Sequence, residues 1–325
     1  MASWYKGFMG GRHHHLVYDV SDRLGIRAVK ISFAALLVTA LLQAAVVVLS
    51  GSVALLADTL HNVADALTSI PLWIAFRLGQ RGPSARFSYG YHRAEDAAGL
   101  AILLVILGSA IWAGYEVLSR FLDPVRPTHL LLAMAAAAVG AIGNELVARV
   151  RIRVGREIGS VALVADGQHA RLDTLTSVAA FVGLGGVALG FPLADPLAGL
   201  LITAGIVAIL WEVSRDVLAR FMDAIDPELL GEMTRLARTV PGVREVYDVR
   251  GRWLGHRLYA EATISVEGSL SVIEGHRIGE EVRHVLLHEI SHCADVTIHV
   301  DPVEVVPGSH HTLTAHHFSE RRARD

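Results

Sequence analysis

The sequence predicts an α-helical membrane protein with six transmembrane helices, followed by a small C-terminal α+β domain. Three observations carry that prediction: long apolar runs through residues 29–222, a return to soluble patterning after residue 222, and a duplicated motif. The 325 residues include 52% hydrophobic and 19% charged side chains, where soluble domains carry about 25% charged residues. With 29 basic and 32 acidic side chains the net charge is −3. That balance lacks the basic excess of a nucleic-acid binder, and the apolar content excludes a disordered chain. One cysteine, Cys293, rules out an intramolecular disulfide framework and a multi-cysteine zinc ribbon.

Residues 1–28 form an N-terminal segment. They mix Lys6, Arg12, Arg23 and Arg27 with His13, His14 and His15, and contain no apolar core of a signal peptide. Residues 31–51 then run without a charge, and at about 1.5 Å per residue they match a hydrocarbon core of about 30 Å. Further apolar stretches follow near 52–76, 98–118, 128–148, 160–192 and 194–214, the last two separated by the turn Gly190-Phe191-Pro192-Leu193. A soluble protein with six such segments would have almost no surface left. Arg77, Arg81, Arg86 and Arg93 lie between spans two and three, and Arg149, Arg151, Arg153 and Arg156 between spans four and five. The loop between spans one and two has no basic residue, and that between three and four has Arg120 and Arg126. The positive-inside bias therefore places both termini in the cytoplasm.

Residues 227–303 alternate polar and apolar. Helix at 227–240, strands at 244–253 and 257–266, helix at 270–288 and strand at 294–300 give an α-β-β-α-β order, a small open α+β sandwich. Residues 304–325, with His310, His311, His316 and His317, read as a flexible tail.

The chemistry sits in an internal repeat. Residues 52–69 read SVALLADTLHNVADALTS and residues 160–177 read SVALVADGQHARLDTLTS, identical at 11 of 18 positions with an offset of 108. Three membrane crossings separate the copies, so they run in opposite directions, the pattern of transporters with a site near the midplane. Each copy carries D-x-x-H-x-x-x-D: Asp58, His61 and Asp65, then Asp166, His169 and Asp173. Residues three or four apart share a helix face, and ionisable groups inside a bilayer mark an ion path by default. One His and one Asp from each helix make two nitrogen and two oxygen ligands, a tetrahedral set suited to Zn²⁺. The predicted set is His61, Asp65, His169 and Asp173. For Asp58 and Asp166, helix-start packing, support of the ligands from behind and direct ligation all stay open. Arg171 is predicted to pair with Glu145 or Asp166. Metal binding needs neutral imidazole, which titrates near pH 6.5, so protons can compete with metal at His61 and His169.

These residues resemble the cation diffusion facilitator family, the metal–proton antiporters. The resemblance rests on six spans, the ligand pairs on spans two and five, the GSVALLAD opening of span two, and a C-terminal domain ending DVTIHVDP. It implies a homodimer in the lipid bilayer with a cytoplasmic ferredoxin-like domain, exporting Zn²⁺ in exchange for protons. It further implies metal ligands at His276, His299 and Asp301, with Tyr247 standing where relatives carry another His. In the loop between spans two and three, Tyr91 replaces a relative's ligand and His92 reads as a surface residue. The long His-rich loop of many eukaryotic relatives between spans four and five is missing, which points to a prokaryotic inner membrane. The alternatives are the same mechanism with Co²⁺, Fe²⁺, Ni²⁺ or Cd²⁺ as main substrate, or a membrane zinc sensor that does not transport. An enzyme is not expected. His288-Glu289-Ile290-Ser291-His292 spells H-E-x-x-H, but a protease needs both histidines on one stable helix, and the following strand begins too soon.

Overall fold

The computed structural model describes residues 11–50, 53–122, 130–191 and 194–303. Within the helices, the side chains of 11–19, 46–50, 53–64, 68 and a few others on α3 to α6 lie outside that description. The chain divides into two units, one of residues 1–224 with the turn Leu254–Arg257, the other of 225–253 and 258–325.

The first unit contains six long helices: α1 (Gly11–Ser50), α2 (Val53–Gly79), α3 (Arg93–Leu122), α4 (Leu130–Ile158), α5 (Val161–Ala188) and α6 (Ala194–Phe221). Among the described residues, α1, α3 and α6 each contain a window long and apolar enough to cross a membrane. Charged residues lie on α4 (Glu145, Arg149, Arg151, Arg153 and Arg156) and on α5 (Asp166, Arg171 and Asp173). Large apolar side chains such as Leu104, Trp112, Leu201 and Trp211 point outward, as expected of a surface solvated by lipid rather than water.

The repeat extends beyond its motif. The helices α2 and α5 carry the two copies, and each follows a long helix, α1 or α4, in the same order. The pairs α1–α2 and α4–α5 are thus two copies of one helical hairpin. Ser160 caps the second copy, its Oγ accepting from the Leu163 N–H at 3.1 Å. The α4–α5 crossing is close: a Cβ on Gly167 would come within 2.6 Å of Ile152 Cγ1 and 2.9 Å of the Ile152 backbone nitrogen. Only a residue without a side chain lets the two backbones approach that far.

The second unit has helices α7 (Pro227–Arg238) and α8 (Val272–Glu289) and strands β1 (Glu245–Leu254), β2 (Arg257–Val266) and β3 (Cys293–Pro302), in sheet order β1-β2-β3. Asp226 caps α7, with Pro227 in the first turn, and Ser271 with Glu274 forms a capping box on α8. Strands β2 and β3 pair in parallel, from Leu258 opposite Cys293 to Val266 opposite Pro302. Parallel neighbours need a crossover, which α8 supplies. Met233, Leu258, Ile264, Val282, Leu286 and Val296 form the centre of its core. Cys293 belongs to that core at 2% exposure, and burial pushes its thiol up to about 12.

Candidate metal centre

The two copies of the motif meet. His169 on α5 places Nε2 3.4 Å from Asp65 Oδ1 on α2 and 4.0 Å from Asp173 Oδ2, one turn further along α5. His169 is 2% exposed, Asp65 is buried, and the Asp173 side chain is 11% exposed. Among the described residues neither ring nitrogen of His169 has a partner in hydrogen-bond geometry. One potential ligand atom from each of the three lies within 4.8 Å of the others, and among the described residues no other group of three or more His, Cys, Asp or Glu converges in this way. Ligands at about 2.0–2.2 Å from a tetrahedral ion stand about 3.3–3.6 Å apart. The His169–Asp65 separation has that value already, and the Asp173 contact needs only a small rotation to reach it. His61 and Asp58 lie on α2, but their side chains are outside the described residues.

Asp166 does not join this group. It is wholly buried and pairs with Arg151 of α4, which is 1% exposed, with Nη1 3.0 Å from Oδ2. A second N–H of the same guanidinium donates to Ser69 Oγ on α2. Sequence reasoning placed Arg151 among the loop arginines that set orientation; α4 runs on to Ile158 and carries Arg151 into the bundle. Hydropathy counting misses this because a cluster of four arginines reads as a single exposed loop. Arg171 contacts Glu145 at 3.8 Å, the first of its two predicted partners.

A second buried cluster lies in the same unit and had no signal in the sequence. His256, in the turn Leu254–Arg257, places Nδ1 2.7 Å from Glu95 Oε2 and Nε2 3.7 Å from Asp22 Oδ1. Arg257 bonds Asp22 at 2.7 Å, and the Gly255 N–H donates to Asp96 at 3.1 Å. Burial pulls the His256 imidazole down, but the Glu95 and Asp22 carboxylates outweigh it and hold the group above its ordinary 6.5. His92 was expected at the surface. It is 9% exposed, with Nε2 3.2 Å from an Arg257 nitrogen. Burial, then the Arg257 and His256 charges, push it down to about 4. The loop that carries it folds back on the helix ends, which spacing alone does not reveal.

In the second unit His299 Nε2 stands 2.9 Å from Asp301 Oδ1, and the Tyr247 hydroxyl donates to Asp301 Oδ2 at 2.5 Å. His276 is an exposed residue of α8. The H-E-x-x-H sequence straddles a helix end: α8 stops at Glu289, and His292 has a φ of 61°. Its two histidines therefore do not share a helix face.

Comparison with known proteins agrees with this anatomy. The cation efflux transmembrane domain matches residues 29–222, and the cation efflux protein cytoplasmic domain matches residues 225–303. A "Probable cation efflux system protein" of Mycobacterium tuberculosis is 50% identical over 304 residues, covering 92% of each chain. The magnetosome protein MamB of Magnetospira sp. is 28% identical, covering 79% of this chain and 88% of its own length. The manganese efflux system protein MneS of Bacillus subtilis is 26% identical, covering 84% and 94%. The chain is a multi-pass membrane protein for efflux of divalent metal cations. It belongs to the cation diffusion facilitator family.

Proposed function

We propose that this protein exports Zn²⁺ from the cytoplasm in exchange for protons, through a tetrahedral site of His61, Asp65, His169 and Asp173 between α2 and α5. The observation that carries the reading is the convergence of Asp65, His169 and Asp173, from two copies of one motif, inside a helical bundle. One nitrogen and two carboxylates leave one ligand position for a tetrahedral ion, and His61, one turn from Asp65, is the residue that fills it. Protons arriving from the far side compete with the metal for the imidazoles, because only the neutral ring binds. Release into an acidic compartment and reloading in a neutral one follow from that competition. The protein acts as a carrier and not as an enzyme.

The protein works as a homodimer in the inner membrane of a prokaryotic cell, with both termini in the cytoplasm. The charge distribution of the loops supports this orientation, and the match of the second unit to the family's cytoplasmic domain supports association through that unit. His276, His299 and Asp301 are the regulatory metal ligands there, with Tyr247 holding Asp301 in place. One relative is named for manganese efflux, so the substrate test includes that ion.

The test is metal flux into proteoliposomes under an imposed pH gradient, comparing wild type with His169→Ala for zinc, cadmium, cobalt, iron, nickel and manganese. Saturable zinc uptake with counter-moving protons, lost in the variant, is the expected result. Preferred uptake of another of these ions reassigns the substrate. Zinc binding without flux of any metal replaces the carrier by a sensor.

A further inference from the structure

The Arg151–Asp166 pair is an expensive structure to keep for stability alone. A buried ion pair repays its desolvation only when its remaining donors and acceptors are satisfied. Among the described residues the Arg151 Nε and the Asp166 Oδ1 have no hydrogen-bond partner, and the 3.0 Å contact lacks hydrogen-bond alignment. An aliphatic pair of similar volume would hold α4 and α5 together as well, and their backbones are already tight at Gly167.

Its position is informative. Asp166 is one turn before His169 on α5, and Ser69 is one turn after Asp65 on α2. One guanidinium touches both, so both lie on the same side of the metal group, the side where α2 ends and α5 begins. Arg151 thus joins the two ligand-bearing helices immediately beside the ligands. At the other end the repeat offers a control. The residue 108 positions before Arg151 (151 − 108) is Gln43 on α1, also buried, and the equivalent of Ser69 is Ser177 on α5 (69 + 108). Both come close to one spot, since a Cβ on Gly140 would lie 3.4 Å from Ser177 Oγ and 3.6 Å from Gln43 Nε2. The same place in the repeat therefore carries a permanent cation at one end of the site and a neutral amide at the other.

We propose that Arg151, clamped between Asp166 and Ser69, is the gate that closes the metal site toward the end where α2 terminates, the cytoplasmic end in the orientation proposed above. While the guanidinium bridges the two helices, buried to 1% exposure, it fills the space between them beside the ligands, and a divalent cation cannot pass. The bond to Ser69 is the releasable half, because α4 and α5 are packed as one body whereas Ser69 belongs to α2. Breaking it lets the guanidinium swing with Asp166 and opens the path.

The inference rests on the site assigned above, and one experiment separates the two. Full-length wild type, Ser69→Ala, Arg151→Lys and His169→Ala are placed in lipid nanodiscs, checked for monodispersity, loaded with Zn²⁺ and mixed with excess chelator. The release phase present in wild type and absent in His169→Ala belongs to the bundle site; without such a phase the site assignment itself fails. The gate predicts that this phase accelerates by about tenfold or more in Ser69→Ala, the effect of one hydrogen bond to a charged group. Equilibrium affinity should change less than about threefold, because entry and exit speed up together. Arg151→Lys, which keeps the charge but replaces the planar fork by a single nitrogen, should show the same acceleration. Unchanged release in Ser69→Ala with the phase intact overturns the gate and leaves the site standing. Acceleration matched by an equal loss of affinity also overturns it, since Arg151 would then only shape the ligands.

Discussion

His169 owes its place in the centre to helical periodicity: Asp166, His169 and Asp173 lie on one face of α5, and Asp65 meets that face from α2. A carboxamide has nearly the shape of a carboxylate but no charge, so Asp173→Asn should leave folding intact and lower zinc flux by at least about 100-fold, a loss at the upper end of what even the supporting residues of metal sites show. Flux in proteoliposomes measures it, and a decrease below threefold would remove Asp173 from the ligand set. His61→Asp should admit Cd²⁺, which accepts oxygen donors and irregular geometry, raising cadmium flux relative to zinc. An unaltered ratio would show that His61 is not the selectivity filter. At this scale spacing along one helix accounts for His169 and Asp173, which meet Asp65 of the other copy, while Asp166 of the same triplet turns to Arg151. The sequence was silent about residues that act across helices. Arg151 looked like a loop charge and His92 like a surface residue, because nothing in their neighbours says which way a long helix or a folded-back loop carries them.

Every helix of the bundle except α5, which stops at Ala188 inside its apolar stretch of 160–192, is longer than the apolar run that announced it. Hydropathy reports the stretch in contact with lipid, whereas the backbone hydrogen-bond ladder continues past it: α3 begins at Arg93 and α4 continues through four arginines to Ile158. The α-β-β-α-β order of the second unit was legible with ends accurate to about two residues, since alternation and caps mark them directly. The close α4–α5 approach was not, because glycine is also the residue of turns and loops. Gly167→Ala should push Ile152 and its backbone away and cost about 1–3 kcal/mol, the usual penalty of overpacking. Thermal unfolding in detergent should show a lowered Tm, with Gly108→Ala, where a Cβ meets nothing within 4 Å, serving as the comparison. Equal effects of the two would mean that the backbone contact is not limiting.

For the whole first unit, the His256 cluster sets a pH dependence. His256 binds a proton more readily in the fold than in the unfolded chain, so its contribution is complete below about pH 6.5 and is lost as pH rises through its elevated value. His92, held near 4, has the opposite sign: its contribution is complete above about 6.5 and is lost as pH falls toward 4. The two histidine contributions together are therefore largest near pH 6.5. Thermal scans of the full chain from pH 5 to 9 should show that His256→Gln removes the decline on the alkaline side while the acid side persists. An alkaline slope identical in wild type and variant would exclude His256 as its source.

The lone thiol at residue 293, closed in behind β3 and held at about 12, has a practical consequence. At neutral pH it remains uncharged and out of reach of maleimide, so the native chain behaves as its own thiol-free background. A cysteine introduced on any helix of the bundle becomes the single addressable handle for a spin label or fluorophore, and distances between two such reporters can follow the transport cycle without first stripping the protein of its natural sulfur.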